Sequence, residues 1–304
     1  MTYVLQRLFQ GVLVLLGVTT IVFGLTFLSG DPVVTLAPLN TTAADLALFR
    51  QSMGLDRPVP VQYADFLIHA VQGDFGSSFR YHEPAMGVVL ERAPATLRLT
   101  AVAVMFALLV SIPLGILAAL HHDRPIDTIA RIVALVGQSV PSFLLGIILI
   151  LVFAVGLRWL PSSGGAGWQN LILPGVTIGG FSAAVLARVL RSSMLEVLGQ
   201  DYVRTAYAKG LRERSVVLRH ALKNAALPFT TLLGLQVSFL LSGAVVAETI
   251  FSYPGMGRLA VEAISTKDIP VIQSFVIITA GVVVVANLVV DLVYRRLDPR
   301  IRLS

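Results

Sequence analysis

Four features of this 304-residue chain carry residue types that could do chemistry, and three of them fail on spacing. "GQSVP" (Gly137 to Pro141) sets a serine where a G-x-S-x-G nucleophile elbow would, but proline replaces the second glycine that so sharp a turn needs. His121 and His122 are adjacent, so their rings diverge on a helix; H-E-x-x-H is absent, and His69, His82 and His220 stand alone. Without cysteine there is no thiolate site either, so neither a catalytic nor a metal centre is expected. A nucleotide-cradling loop requires G-x-x-x-x-G-K-[ST], and none of Lys209, Lys223 and Lys267 follows a glycine in that pattern. What remains is "DYVRTAYAKGLRERSVVLRHALKNAALP", Asp201 to Pro228, which gathers Arg204, Lys209, Arg212, Arg214, Arg219 and Lys223. Its chemistry is attraction of anions, either an acidic protein surface or lipid headgroups.

The elements that position this segment are set by composition. The chain is 56% hydrophobic and 13% charged, with a mean hydropathy of +0.82. A water-soluble domain carries about twice that charge, so this is an integral membrane protein. Apolar runs of about twenty residues predict six transmembrane helices: Leu8 to Leu28, Leu99 to Leu120, Ile132 to Leu157, Ile172 to Leu190, Ala225 to Val246 and Val271 to Val293. The first is too long for a signal-peptide core, and no small-x-small cleavage site follows it. The fold class is therefore all-α and membrane-embedded, with residues 1–304 as one transmembrane domain.

Basic residues near span ends mark the cytoplasmic side. With both termini inside, that side holds Arg7, Arg124, Arg131, Arg188, Arg191, the six cations of the basic segment and the C-terminal arginines. The net charge of +6 is then a matter of topology, and no nucleic acid is required. The outer connection, residues 30–94, reads as a helical insertion: Thr42 with Asp45 starts one helix, stopped at Gly54, and Tyr63, Phe66, Leu67, Ala70 and Val71 share a face on a second that Gly73 ends.

On the inner side, residues 194–228 form the segment between the fourth and fifth spans. Asp201 is placed to cap a two-turn helix, Tyr202 to Lys209, which Gly210 ends through left-handed geometry. A second helix follows with Leu218, Ala221, Leu222 and Ala225 as its apolar stripe, until Pro228 leads into the fifth span. Docking to a protein and lying on headgroups are equally consistent with that pattern.

Ion-coupled transporters bury charged groups at the midplane. These spans hold almost none, and Asp291 sits one turn from Arg295 as an ordinary pair. The polar residues inside them are neutral: Gln138, Ser139 and Ser142 around Pro141, Ser182 after Gly179 and Gly180, and Gln236, Ser238 and Ser242. Singly these act as glue between helices; together they suit a wet, weakly selective path, with Pro141 and the glycine pair allowing helices to bend.

"YVRTAYAKG" with "LRHALKNAALP" resembles the coupling-loop region of ABC-importer permeases in the dipeptide, oligopeptide and nickel branch. Arg204, Thr205 and Ala206 stand where the wider pattern has Glu-Ala-Ala, and Gly210 matches its glycine. "GLDRPVPVQY", "QGDFGSSF", "ERAPATLRLT", "ETIFSYPGMGRL" and "DLVYRRLDPRIR" are similar to the same branch and follow the same order, so the resemblance spans nearly the whole chain and is to the first of two permease subunits. It implies a non-enzymatic permease in the bacterial inner membrane, partnered by a second permease subunit, two ATPases that bind ATP and Mg, and a periplasmic solute-binding protein that delivers peptide. No cofactor would lie in this chain; lipid would surround it. Tyr202, Arg204, Thr205, Ala206, Lys209, Gly210 and Leu211 would couple to an ATPase. Tyr253, Pro254, Gly255 and Gly257, a tight turn by composition, would face the periplasm as a gate or contact. Nickel, glutathione or an opine is an alternative cargo, and a gradient-driven transporter or a non-transporting scaffold is the alternative class.

Overall fold

The computed structural model describes residues 2–28, 42–52, 56–165 and 167–297. Among them the structure is helical, with one isolated β-bridge between Ser77 and Pro84. The chain divides into two compact units, residues 1–94 with 255–284, and residues 95–254 with 285–304.

The first unit contains α1 (Thr2–Leu28), α2 (Ala43–Ser52), α3 (Val59–Val71), the start of α4 (Ala85–Leu120), α10 (Met256–Thr266) and the start of α11 (Ile269–Leu297). Thr42 donates its hydroxyl to Asp45 at 2.7 Å and accepts the Asp45 N–H at 3.3 Å, the expected start of α2. The expected stop at Gly54, and residues 30–41 of the insertion, lie outside the described residues. The apolar face of α3 lies on α1: the rings of Tyr63 and Phe66 sit 5.2 and 5.4 Å from Phe23, and the Tyr63 hydroxyl is hydrogen-bonded to Thr20 at 2.6 Å. Val71 is 89% exposed and does not belong to that face; Gly73, at φ +76°, supplies the left-handed stop after it. Val88 and Val89 pack with Met256, Leu259, Ala263 and Val271 in the core of this unit.

The second unit is built around α7 (Ile172–Leu198). Of its apolar window 61% is buried, against 22–33% for the other straight spans. Small residues permit this. A Cβ on Gly179 would lie 2.7 Å from the Ala103 carbonyl oxygen of α4, and one on Gly175 would lie 2.8 Å from Val102, so the two helices approach to backbone contact. The Gly179–Gly180 pair therefore serves close packing within a continuous helix. Farther along, Leu186, Leu190 and Met194 form a core with Ala107, Ala119, Ala221 and Phe229.

The expected third span is broken. α5 (Pro125–Ser139) starts with proline in its first turn, where no N–H is missed. It ends because Val140 precedes Pro141 and is pushed to extended geometry, φ −82° and ψ 120°. α6 (Ser142–Leu149) resumes at 105° to it and continues as π-helix through Gly156. Among the described residues four helices have the length and apolarity to cross a bilayer, five if this bent pair counts as one; α1 carries a shorter apolar stretch, Phe9–Gly24. The side chains of Asp291 and Arg295 are not among those described.

Candidate functional site

The basic segment is a bent, stapled element. α8 (Asp201–Ala208) follows Gln200, which holds the extended geometry of an N-cap. Asp201 is thus the first helical residue, one position later than the cap expected of it; its carboxylate makes no cap hydrogen bond but faces the positive end of the helix. At the other end the Leu211 N–H reaches the Ala206 carbonyl at 3.3 Å and the Gly210 N–H reaches that of Tyr207 at 2.9 Å. This is the Schellman arrangement, and it needs a left-handed residue at position 210, where Gly210 has φ +75°. A Cβ there would meet nothing within 4 Å, so backbone conformation, not space, demands glycine.

One face of α8 is bound to the rest of the unit. Val203 and Ala206 are buried against Val216, backed by Val197 and Leu198 of α7. Asn224 donates to the Tyr202 hydroxyl at 2.7 Å, fastening α8 to the foot of α9 (Leu222–Ile250). Ala206 therefore does not present its side chain outward as the sequence pattern suggested; it fills the inner seam. The opposite face carries Arg204, Thr205, Tyr207 and Lys209, all exposed, with Tyr202 and Leu211 about 40% exposed beside them. Thr205 turns its hydroxyl back to the Asp201 carbonyl at 2.9 Å, and Arg204 stands 3.8 Å from the Asp201 carboxylate. Both members of that pair are solvated and it contributes little, so the guanidinium is free to take another anion. Tyr207 was not singled out by sequence, although it lies one turn from Arg204 on the exposed face.

Pro228 was expected to separate a surface helix from the fifth span. Instead Glu213–Ser215, a π-helical turn Val216–Ala221 and α9 form one run with Pro228 inside it. The π turn shifts the register. Val216, Val217, Ala221 and Ala225 are buried, while Leu218, assigned to the apolar stripe, is 45% exposed.

The residues proposed for a path are not gathered at one place. Ser182 donates to Gln236 at 2.7 Å, both buried between α7 and α9. Ser238 donates to Asn287 of α11 at 3.1 Å. Ser139 and Ser242 bond back to carbonyls one turn earlier, and Ser142 is the first residue of α6. Gln138 alone of the seven lines a cavity of about 360 Å³ in this unit, and its Nε2 is buried without a partner among the described residues. At the outer turn, expected as a gate or contact, Tyr253, Gly255 and Gly257 are buried and Pro254 is partly exposed.

Three buried carboxylates, Asp127, Glu248 and Asp268, escaped notice in the sequence. Asp127, fully buried at the start of α5, accepts Arg191 Nε at 2.6 Å and Nη2 at 2.7 Å, and the Asp123 N–H at 3.1 Å. The forked geometry offsets the cost of burying both charges. Glu248, fully buried in α9, accepts the Thr96 hydroxyl at 2.5 Å. For Glu248 the signal was available, an acid set in the apolar run "GAVVAETIF", where only a paired carboxylate is tolerated; Asp127 lies in the polar stretch "HHDRPIDT" and gives no such sign.

Comparison with known proteins bears on the whole chain. Residues 111–303 match the family described as binding-protein-dependent transport system inner membrane component, and residues 1–100 match the N-terminal membrane component of the same systems. The glutathione transport system permease protein GsiC of Salmonella choleraesuis (strain SC-B67) is 42% identical over 303 residues, 99% of either chain. Its counterpart in Escherichia coli (strain K12) is 41% identical over the same length. In fold, 70% of the chain overlays 97% of a chain from inward-facing structures of the MetNI methionine ABC transporter, with TM-scores of 0.61 and 0.58 at 16% identity.

Proposed function

As a member of the family of inner-membrane components of binding-protein-dependent transport systems, this chain is a permease subunit of an ABC importer, and we propose that α8 is where the ATP-driven motor grips it. The observation that carries this reading is the two-sided build of α8: one face stapled to α7 and α9 through Val203, Ala206 and the Tyr202–Asn224 bond, the other free and bearing Arg204, Tyr207 and Lys209. A push on the free face has no slack loop in which to dissipate. It passes through Val216 into the foot of α9, and through Gly199 and Gln200 into α7.

In the assembly we infer, this chain pairs with a second permease subunit, two ATPases bind ATP and Mg at the cytoplasmic face, and a solute-binding protein delivers cargo from the periplasm. Both termini lie inside, where the basic residues are concentrated. The cargo is a small peptide; glutathione, named for the relatives at 42% identity, belongs to that class. Gln138, Ser182, Gln236 and the other neutral polar residues of the spans would line the path only where helices part, since several are now bonded to one another. The outer turn contributes shape: buried Tyr253 anchors it and Pro254 presents its surface.

Gly210→Val tests the lever. It forces a β-branched residue into left-handed geometry and should change the angle of α8 without touching the spans. In proteoliposomes holding the complete transporter, we expect normal membrane insertion and continued ATP hydrolysis with glutathione uptake reduced at least roughly tenfold, a loss of about 1.4 kcal/mol of coupling. Uptake per ATP equal to wild type would remove α8 from the drive train.

A further inference from the structure

We propose that the cavity between α4, α5 and α7 seats the phosphate headgroup of an anionic lipid from the cytoplasmic leaflet. Its polar lining is made of donors: the guanidiniums of Arg131, Arg188 and Arg191, the hydroxyl of Ser192, and the Gln138 amide, whose buried Nε2 has no partner among the described residues. No carboxylate is among the described residues that line it. Arg191 is committed to Asp127 by two short bonds, and Arg131 lies 3.7 Å from the same carboxylate. Arg188 has no ion pair among the described residues. Against Asp127 and the more exposed Asp123 beside it, three cations still leave a positive excess, and an amide donor without an acceptor is costly to bury. An anion rich in acceptor oxygens satisfies both.

The rest of the lining says what kind of anion. The remaining walls are aliphatic, among them Leu114, Ala134 and Leu135. Leu135 is 63% exposed, and with Leu114 and Ala134 it makes an apolar strip along the cavity wall. A free phosphate would leave that strip bare, whereas a phospholipid covers it with its acyl chains while its headgroup enters the cavity. About 360 Å³ holds roughly ten waters' worth of material, enough for a phosphate and its glycerol. The cavity lies toward the same ends of α4 and α7 as the connections to α5 and α8, the side assigned above to the cytoplasm, where anionic lipid and basic pockets between spans are complementary. This inference rests on that orientation but not on the coupling role of α8.

The test counts lipid retained by the complete transporter, purified in mild detergent and analysed by native mass spectrometry, with no transport readout. Wild type should keep phosphatidylglycerol in preference to phosphatidylcholine by roughly tenfold, a comparison that needs no variant. Arg131→Gln combined with Arg188→Gln should abolish the preference, Arg188→Lys should retain most of it, and Gln138→Leu should weaken it a few-fold. In thermal unfolding, phosphatidylglycerol should protect and millimolar inorganic phosphate should not. Equal retention of the two lipids, an unchanged preference in the double variant, or equal protection by inorganic phosphate would each overturn the proposal. So would a complete transporter that retains no lipid at all, since the second permease subunit would then be the occupant.

Discussion

The two ends of α9 carry connections of opposite build. At its foot, α8 buries Val203 and Ala206 and leaves Arg204, Tyr207 and Lys209 in solvent. At its head, Tyr253 is 3% exposed in a core with Leu99, Leu173 and Phe251, and the glycines after it are buried. Both connections use a tyrosine, yet Tyr207 offers its ring outward while Tyr253 serves as an internal wedge. A connection that receives force from another protein has to expose what it is gripped by; one that holds helices in place has to hide it. Recognisable residues in both places thus do different work, and burial separates them where residue type does not.

The contrast can be broken experimentally, most severely at the head. Tyr253→Ala should lower the stability of the detergent-solubilised protein by about 3 kcal/mol, read as a fall in unfolding midpoint, because it empties a filled core position. If the midpoint hardly moves, the head is not the structural end. At the foot, Gly210→Ala should cost about 1 kcal/mol through its positive φ and should reduce uptake per ATP more than it reduces stability. Tyr202→Phe removes the acceptor of the Asn224 amide and should cost roughly 1 kcal/mol. Combined with Asn224→Ala in a double-mutant cycle the losses should fall short of additive, and strict additivity would mean that the staple is not a coupled pair. The smallest stability effect belongs to Arg204→Ala and Tyr207→Ala, within about 0.5 kcal/mol. Their mark should be weaker ATP-dependent uptake, and normal uptake in both would deny that the exposed face is gripped.

How far the sequence could be read depended on whether a feature was local. Gly210 was legible because a helix stop is decided by a few neighbouring residues, and the break at Pro141 was partly legible because proline constrains the residue before it. That break was underestimated: a bend was allowed for, but an apolar run gives no sign that the chain turns through 105°. The phase of Leu218 was misjudged since a π turn adds a residue to the period, which a 3.6-residue stripe cannot reveal. Ala206 was assigned outward because its partner, Val216, lies ten residues on across the glycine bend. Asp127 and Arg191 are 64 residues apart, and only the packing of α5 on α7 brings them together. Family resemblance supplied the assembly; it did not say which side of α8 faces it.

The approach of Gly179 to the Ala103 carbonyl constrains how this molecule can change shape. Rolling α7 about its own axis would bring a neighbour bearing at least a Cβ into a seat already filled by main chain. α4 and α7 are keyed together at that point, as two meshed gear teeth are, and must travel as one block. Any opening of the path then has to come from a joint elsewhere, and the kinked, proline-set junction between α5 and α6 is the part of this unit shaped to act as a knee.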